Sequence, residues 1–285
     1  MIKRNVNLSE KTTYKFGGLA NYYLELKKGT EEELAKCRNL TNDIYILGNG
    51  SNIAFSDKGY PGMIIKSANN HIKLLPDNKL EVYSGTSMPD IARFCYQNSL
   101  KGAEFMIGIP GTIGGGVLMN AGAYGASTAD ILSQVFSYNL VISREKIFKK
   151  EDLKFGYRTT EGLDGEFVYK VHLNIEPDDK KSIQLKQKEY LEHRKKTQPS
   201  GIYNAGSVFK NPKGLHSGEL IERAGMKGYR LGTVSISEKH GNFFVADKNA
   251  KAIDLYNLVL HVKKVVYQKF AINLEEEIRF VGNFG

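Results

Sequence analysis

Residues 108–125 read Gly-Ile-Pro-Gly-Thr-Ile-Gly-Gly-Gly-Val-Leu-Met-Asn-Ala-Gly-Ala-Tyr-Gly, and the interpretation of the whole chain starts from this tract. Five glycines fall within the nine residues from Gly108 to Gly116. In regular secondary structure, each glycine lowers the stability of the fold by about 1 kcal/mol relative to alanine, because glycine loses more conformational entropy on folding. A glycine-rich turn between packed elements is the simplest alternative, but this density favours a backbone that approaches a bound molecule closely.

A second glycine-containing segment, Gly48-Asn49-Gly50-Ser51-Asn52, follows the apolar run Ile44–Leu47. Successive backbone N–H groups in such a turn form a cradle for an anion such as phosphate. The segment is not a dinucleotide fingerprint, because Ile53 stands where the third glycine of G-x-G-x-x-G belongs, and the chain has no P-loop motif. Taken alone, a plain turn remains the simpler interpretation of this loop.

The net charge of the 285-residue chain is +9, which indicates either a lysine-rich surface or an anionic partner. Nucleic acid is the usual partner of so basic a chain. The densest basic clusters, however, are the short runs Lys180-Lys181 and 193–196, and no basic run alternates with aromatic residues. A phosphate-bearing small molecule accounts for the same charge.

Cys37 and Cys95 are the two cysteines, and neither belongs to a C-x-x-C motif. We therefore expect no metal site and no dithiol chemistry. The segment from Met1 to Gly17 lacks an apolar core of signal-peptide length, and no apolar run approaches the roughly 20 residues of a membrane span. These features predict a cytoplasmic protein without membrane insertion.

Hydrophobic periodicity and turn residues predict a chain of alternating helices and strands. Thr30 is the predicted N-cap of the first helix, and Ser87 or Thr86 that of the second. The predicted strands are Tyr22–Lys27, Ile44–Leu47, Met63–Lys66, Ile72–Leu75, Leu80–Ser84, Val135–Ile142, Lys146–Phe148, Val168–Ile175 and Leu274–Val281, with Phe243 and Phe244 in a further one. The predicted helices are 30–39, 88–97, 178–196, with Ile183, Leu185, Tyr190 and Leu191 facing inward, 217–224, and about 250–270, recognised by Ile253, Tyr256, Leu260 and Val265.

At this point the motifs resemble those of the UDP-N-acetylenolpyruvoylglucosamine reductase family. The matching segments run in the family's order along nearly the whole chain: 47–52, 108–115, 119–125, Phe155-Gly156-Tyr157-Arg158, Ala205-Gly206-Ser207-Val208-Phe209-Lys210-Asn211-Pro212, 237–243 and Leu274-Glu275-Glu276-Glu277-Ile278-Arg279. Asn49 stands where the family often has glycine, and Ile53-Ala54 where it often has Leu-Leu. The short chain between Arg158 and Ser207 resembles the class that lacks a lid tyrosine.

The resemblance implies an α+β fold: a two-subdomain FAD-binding fold of the vanillyl-alcohol-oxidase type plus a C-terminal α/β substrate-binding domain. We place the subdomains at 1–67 and 68–198 and the substrate domain at 199–285, after Pro199 and Gly201 break the chain. The resemblance also implies NADPH-dependent reduction of UDP-N-acetylglucosamine enolpyruvate to UDP-N-acetylmuramate by a monomeric enzyme that binds FAD non-covalently. The implied FAD-binding residues are Gly48, Asn49, Gly50, Ser51, Asn52, Gly108, Ile109, Pro110, Gly111, Thr112, Gly114, Gly115, Ala121 and Gly122.

The family pattern assigns catalysis to three residues. Arg158 would stabilise the enolate that forms when hydride adds to the enolpyruvyl double bond, because a guanidinium grips a carboxylate at two points. Glu277 would assist at the same end, and Ser207 would donate the proton, helped by a positive charge such as Lys210. Each of these residue types is common in structural roles: a surface ion pair for Arg158, a turn for Ser207, and an exposed strand edge for Glu277.

Substrate contacts follow from positions beside these motifs. The candidates are Tyr157, Arg194, Gln198, Lys210, Asn211, His240 and Asn242. Two other functions stay open at this point. An FAD oxidase of the same fold is disfavoured, because neither cofactor segment has the His or Cys that many such oxidases use to attach flavin. A basic module that binds nucleic acid or anionic glycans explains the charge but leaves the glycine tract unexplained, so we expect small-molecule partners and no nucleic acid.

Overall fold

The structure is a computed structural model that describes residues 1–27, 31–201 and 203–285. The predicted N-cap Thr30 lies outside the described residues. The helices are α1 Glu31–Leu40, α2 Met88–Gln97, α3 Ile113–Leu118, α4 Thr128–Ile131, α5 Lys180–Thr197, α6 Ser217–Arg223 and α7 Ala252–Phe270, with 3-10 turns at Leu8–Lys11, Glu104–Gly108 and Lys150–Asp152.

The strands are mostly short, which agrees with the many turn residues of the sequence. They are β1 Lys3–Asn7, β2 Leu19–Leu26, β3 Ile44–Leu47, β4 Ile53–Phe55, β5 Tyr60–Ser67, β6 Ile72–Leu75, β7 Lys79–Tyr83, β8 Leu100–Lys101, β9 Gly122–Ala123, β10 Ala126–Ser127, β11 Leu132–Asn139, β12 Arg144–Lys149, β13 Lys154–Gly156, β14 Thr159–Glu161, β15 Glu166–Asn174, β16 Glu176–Pro177, β17 Arg230–Leu231, β18 Val234–Ile236, β19 Phe244–Ala246 and β20 Arg279–Val281.

The described chain divides into two compact units. The first comprises residues 1–2, 23–49 and 62–194, and the second comprises residues 3–22, 50–61 and 195–285. The boundary therefore falls inside the glycine-containing segment Gly48–Asn52, between Asn49 and Gly50. Our three-part division at residues 67 and 198 stays a prediction.

The first unit is organised by a five-stranded antiparallel sheet in the order β12-β11-β15-β7-β6. One apolar face of this sheet, including Val82, Val135 and Val171, joins α2 and the Glu104–Gly108 turn in a single core. β3 pairs in parallel with β5, with Ile44 opposite Met63. The glycine tract enters this core through Ile113 and Val117, which are fully buried.

The second unit packs α6 and α7 around a three-stranded antiparallel sheet in the order β17-β18-β19. β20 pairs in parallel with β4, with Arg279 opposite Ile53. Tyr14 is buried in this core, and its hydroxyl donates a 3.0 Å hydrogen bond to the carbonyl of Phe244. Residues from both ends of the chain thus build one hydrophobic core.

The buried residues of the two long helices differ in part from those we predicted. In α5, Ile183 is buried and Tyr190 packs against the core, but Leu185 and Leu191 are exposed. Gln187 is buried instead, because its amide donates a 2.9 Å hydrogen bond to the carbonyl of Ala92. In α7 the buried stripe is Leu255, Leu258, Val259, Val262 and Val266, whereas Leu260, which helped to reveal the helix, is 45% exposed.

Two strand predictions were too long. The predicted strand Leu274–Val281 is regular only at β20, and residues 274–278 lie beside residues 208–210 through irregular backbone hydrogen bonds. The predicted strand Val135–Ile142 ends at Asn139, since the Asn139 side chain accepts hydrogen bonds from the N–H groups of Val141 and Ile142 and closes a turn. Among the described residues, the longest helices are too polar or too short to cross a lipid bilayer.

Candidate active site

The two glycine-containing segments meet at Thr112 in the first unit. A Cβ added to Gly48 would lie 2.6 Å from Thr112 Oγ1, so only glycine permits this approach. Thr112 is the N-cap of α3, and its Oγ1 accepts a 3.4 Å hydrogen bond from the N–H of Gly115. Two segments that we predicted to share a cofactor are therefore in direct contact.

Several glycines of the tract are explained by protein neighbours, which corrects part of our argument from glycine density. A Cβ on Gly114 would lie 2.8 Å from Cβ of Ser84, and one on Gly108 would lie 2.3 Å from the Cδ atom of Arg194. The N–H of Gly114 donates to the carbonyl of Ser84 at 2.9 Å, so this N–H is engaged within the protein. These two glycines permit close packing, whether or not a ligand is bound.

Other members of the tract leave room for a ligand. A Cβ on Gly115 would make only an ordinary 3.7 Å contact, and Pro110 is exposed. The remaining members use their backbone groups in hydrogen bonds. The N–H of Ile109 donates to the Met106 carbonyl and the N–H of Ala121 to the Gly116 carbonyl, whereas the Gly111 carbonyl accepts from the N–H of Met88 and the Gly122 carbonyl accepts from Nη1 of Arg158. The open face at Gly115, beside the Gly48–Thr112 contact, fits a cofactor laid along the main chain.

The segment Gly48–Asn52, here called the early loop, has its second half, from Gly50 onward, in the second unit. Gly50 has φ +65, and a Cβ there would lie 2.2 Å from the carbonyl oxygen of Lys11. Asn49 and Ser51 are half-buried in the turn. Asn52 donates from its side-chain amide to the carbonyl of Glu277 at 2.9 Å, and its own carbonyl accepts from the N–H of Arg279 at 3.1 Å.

Ser207 and Glu277, both in the second unit, are joined through Val208. The N–H of Glu277 donates to the Val208 carbonyl at 2.8 Å, and Ser207 forms an antiparallel bridge with Phe243. The segment 203–210 therefore lies between residues 242–246 on one edge and residues 274–278 on the other. Two predicted catalytic residues 70 positions apart are brought onto adjacent segments.

Glu277 is the last residue of an acidic triplet, Glu275-Glu276-Glu277, and the other two residues of this triplet have cationic partners. Glu275 accepts a hydrogen bond from Nζ of Lys210, and Glu276 lies 2.7 Å from Nζ of Lys263. The charge of Lys210 is thus paired with Glu275, which weakens our expectation that it assists Ser207. Glu277 is half-buried and is the member of the triplet that Asn52 holds.

Arg158 occupies the tip of a tight hairpin in the first unit. Strands β13 and β14 pair with Gly156 opposite Thr159, which leaves Tyr157 and Arg158 as a two-residue loop. Arg158 adopts φ +59, unusual for a residue other than glycine. Its Nη1 donates a 3.0 Å hydrogen bond to the carbonyl of Gly122, and its guanidinium lies 5.1 Å from the centre of the Tyr157 ring. Arg158 is thereby fixed against the predicted cofactor tract.

Arg194 also belongs to the first unit and supports the glycine tract. Its side chain covers Gly108 and interacts with the hydroxyl of Tyr124, which donates a 2.8 Å hydrogen bond to the carbonyl of Tyr190. The rings of Tyr124 and Tyr190 stack at 4.0 Å. Burial lowers the pKa of Arg194 and raises the pKa of Tyr124. Sequence reasoning missed this stack, for which the only signal was the position of Tyr124 within the tract.

The remaining substrate-binding candidates lie in the second unit, where Gln198 is half-buried. Asn211 Oδ1 accepts a 3.0 Å hydrogen bond from the N–H of Ser217 at the start of α6. Nδ1 of His240 accepts a 3.1 Å hydrogen bond from the N–H of Asn242, and burial lowers the pKa of His240. Asn242 is buried and hydrogen-bonded to the backbone of Phe209. Their substrate contacts stay predictions, as does the exposed Tyr157.

Comparison with known proteins gives the same family from three directions. The C-terminal domain model of UDP-N-acetylenolpyruvoylglucosamine reductase matches residues 198–281, and an FAD binding domain model matches residues 27–149. UDP-N-acetylenolpyruvoylglucosamine reductase from Caldicellulosiruptor saccharolyticus is 38% identical over 97% of this chain and 91% of its own. The enzyme of that name from Rickettsia prowazekii is 37% identical over 99% and 96% of the two chains.

The chain belongs to the UDP-N-acetylenolpyruvoylglucosamine reductase family. A solved structure of this reductase from Thermus caldophilus is 32% identical and superposes with a TM-score of 0.86 over 99% of both chains. The family and fold expected from the motifs are therefore confirmed.

The matched regions of the reductase family divide the predicted site residues. The FAD binding domain model covers Gly48–Asn52 and the tract up to Gly122, and the C-terminal domain model covers Ser207 and Glu277. Arg158 lies between the two matched regions.

Proposed function

We propose that this chain is a cytoplasmic, monomeric UDP-N-acetylmuramate dehydrogenase. It uses NADPH and non-covalently bound FAD to reduce UDP-N-acetylglucosamine enolpyruvate to UDP-N-acetylmuramate, a precursor of peptidoglycan. Full-length similarity to reductases of this name supports the reaction class. The observation that carries the residue assignment is the Val208 carbonyl, which joins the segments of Ser207 and Glu277.

The residues that would hold FAD are those of the early loop and the glycine tract. The Gly48–Thr112 contact and the open side of Gly115 fit a cofactor that lies against main chain. When bound, FAD would supply hydride transfer, from NADPH to the β-carbon of the enolpyruvyl group. The protein must then stabilise the negative charge that develops on the substrate and deliver one proton.

Arg158 supplies positive charge for the enolate that develops at the substrate carboxylate. A guanidinium suits this role because it is always protonated and binds two oxygens at once. Its hairpin geometry and its bond to Gly122 hold the side chain in place before substrate binds. A group fixed in this way stabilises developing charge without having to reorganise during the reaction.

Ser207 donates its hydroxyl proton to the α-carbon, and Glu277 acts at the carboxylate end of the same group. Proton and hydride together saturate the double bond and leave the lactyl ether of the product. Ser207 follows Gly206, which adopts a left-handed backbone conformation. The space beside Gly206 is open, since a Cβ added there would meet nothing within 4 Å. Open space beside the proton donor is what an incoming substrate requires.

Tyr157, Arg194, Gln198, Lys210, Asn211 and His240 are the proposed contacts to the UDP-sugar. The net charge of +9 favours binding of a diphosphate. We also propose the three-part division of the chain at residues 67 and 198. The substrate domain 199–285 would then carry Ser207 and Glu277.

The test is an anaerobic stopped-flow experiment on the purified yellow protein. Flavin is first reduced with NADPH, and its reoxidation by the enolpyruvyl UDP-sugar is then followed by absorbance. Ser207→Ala and Glu277→Gln should slow reoxidation by about 100-fold or more, as loss of a general acid does, while reduction by NADPH stays unchanged. Ser207→Cys should be slowed less than Ser207→Ala. A colourless protein that binds nucleic acid in a salt-sensitive manner would refute the proposal.

A further inference from the structure

The side chain of Asn242 lies inside the framework that carries the proposed catalytic pair. Its Oδ1 accepts a 2.9 Å hydrogen bond from the N–H of Phe209, and its Nδ2 donates a 2.8 Å hydrogen bond to the Phe209 carbonyl. The backbone carbonyl of Asn242 accepts from the N–H of Val208 at 2.9 Å. One residue thus makes three hydrogen bonds to the two residues that follow Ser207.

The opposite edge of the same short segment carries Glu277. The carbonyl of Val208 accepts from the N–H groups of Glu277 and Ile278 at 2.8 and 3.2 Å, and Phe209 bridges Glu276. Val208 and Phe209 are therefore fixed by Asn242 on one side and hold the Glu277 segment on the other. A displacement of this two-residue strip changes the separation of Ser207 and Glu277.

Asn242 is itself held in place. Its N–H donates to Nδ1 of His240 at 3.1 Å, and the N–H of Phe243 donates to the His240 carbonyl at 3.0 Å. The residue is only 3% exposed, so its side-chain hydrogen bonds to Phe209 are shielded from water. Buried polar groups that are fully hydrogen-bonded make a structure rigid and specify one arrangement.

We propose that Asn242 is a positioning residue, which fixes the separation between the Ser207 hydroxyl and the Glu277 carboxylate without touching the substrate. This inference rests on the proposed roles of Ser207 and Glu277. It replaces our prediction, from the sequence, that Asn242 contacts the substrate. An asparagine amide suits the task because it offers a donor and an acceptor on one rigid group and thus mimics the edge of a β-strand.

The first experiment measures both half-reactions in Asn242→Leu, a substitution that keeps the branching of the side chain but removes both side-chain hydrogen bonds. At saturating substrate, flavin reoxidation should slow by about 100-fold, the loss expected when a reacting group is misplaced by about 1 Å. Flavin reduction by NADPH and the substrate Kd, measured from the perturbation of flavin absorbance, should stay near their wild-type values. Weaker substrate binding with a normal saturated rate would instead identify a substrate contact and overturn the proposal.

A double variant separates positioning from general damage. If Asn242 acts through Ser207, adding Asn242→Leu to Ser207→Ala should cost much less than it costs in the wild-type enzyme, because residues that act as a unit are non-additive. Fully additive losses would contradict the proposal. If Ser207→Ala and Glu277→Gln have normal rates, the proposed catalytic roles of these two residues fail first; if they are slow while Asn242→Leu is normal, only the positioning role of Asn242 fails.

A readout independent of activity comes from amide hydrogen exchange. In Asn242→Leu the N–H groups of Phe209 and Glu277 should exchange faster than in the wild type, while amides of the first unit are unchanged. The matched control is Gln187→Leu, which also removes a buried amide bonded to a backbone carbonyl. This control should leave exchange at Phe209 and the rate of reoxidation unaltered. Unchanged exchange at Phe209 and Glu277 in Asn242→Leu would contradict the proposal.

If Asn242→Leu does not fold, Asn242→Asp keeps the proposal testable. An ionised aspartate still accepts from the Phe209 N–H but places a carboxylate oxygen against the Phe209 carbonyl. A protonated aspartate restores the donor. The ratio of variant to wild-type reoxidation rates should therefore rise as the pH falls. A ratio that stays constant with pH would count against positioning by this amide.

Discussion

The side-chain amide of Asn52 donates a 2.9 Å hydrogen bond to the backbone carbonyl of Glu277. The neighbouring residues continue this pairing. The N–H of Arg279 donates to the Asn52 carbonyl, and Arg279 lies opposite Ile53 where β20 pairs with β4. The early loop that we assign to cofactor binding is thereby fastened to the segment that carries a proposed catalytic carboxylate.

Asn52→Ala should therefore affect catalysis more than stability. The lost hydrogen bond is worth about 1 kcal/mol of unfolding free energy, whereas release of the Glu277 segment should slow flavin reoxidation at saturating substrate several-fold or more. The control is Asn21→Ala, which removes an asparagine bond of 2.7 Å to the Pro61 carbonyl at an exposed position. Equal reoxidation rates in the two variants would contradict the link between Asn52 and Glu277.

Arg158→Ala should slow reoxidation by about 100- to 1,000-fold, the usual cost of removing a group that stabilises developing negative charge. The reoxidation rate of Arg158→Lys should fall between those of the wild type and Arg158→Ala, since an ammonium keeps the charge but loses two-point binding. The matched control is Arg230→Ala at the second Gly-Tyr-Arg of the chain, where the arginine forms an exposed ion pair with Asp247. Stopped-flow rates that are alike in the two alanine variants would refute the assignment.

His240 should give the protein a pH-dependent component of stability. Burial lowers its pKa from the ordinary value of 6.5, so the unfolded chain binds the proton more readily. The stabilisation is fully present above pH 6.5 and is lost as the pH falls through the lower pKa of the folded state. NMR titration of the ring should give a pKa below 6.5. In urea unfolding between pH 7 and pH 5, His240→Asn should lose less stability than the wild type.

Gly50→Ala should destabilise the protein more than Gly206→Ala. Both glycines have positive φ, which costs an L-residue about 1–2 kcal/mol. At Gly50 the new Cβ would also lie 2.2 Å from the Lys11 carbonyl oxygen and 2.8 Å from Cα of Thr12, whereas at Gly206 it would meet nothing within 4 Å. Thermal unfolding of the two variants measures the difference, and a Gly50→Ala protein as stable as Gly206→Ala would contradict the described backbone.

Local sequence signals were sufficient where neighbouring residues determine the structure. Helix α2 was predicted from Met88 to Gln97 with Ser87 or Thr86 as its N-cap, and the structure has these bounds and selects Ser87, whose side chain accepts from the N–H of Asp90. Strand β3 likewise begins and ends where we expected. In both cases the periodicity and the flanking turn residues lie within a few positions of one another.

The same reasoning failed where a choice depended on distant partners. The residues by which we recognised α7 form a stripe that includes the exposed Leu260, because the helix has apolar residues on more than one face and tertiary packing selects the buried one. In the glycine tract, density pointed to a ligand, but Gly108 and Gly114 are required by Arg194 and Ser84. Sequence alone does not distinguish a glycine that a ligand requires from one that a neighbouring side chain requires.

The amino-acid sequence by itself determined the family, the two glycine-containing segments and the bounds of helix α2, because ordered motifs and local periodicity are properties of short stretches. Only the tertiary structure decided that Asn52 holds Glu277, 225 positions away, and that the amide of Asn242 is bonded to Phe209. Such contacts form when distant segments pack together and bury their polar groups. Because the two partners are far apart in the sequence, no local sequence pattern indicates that they will meet.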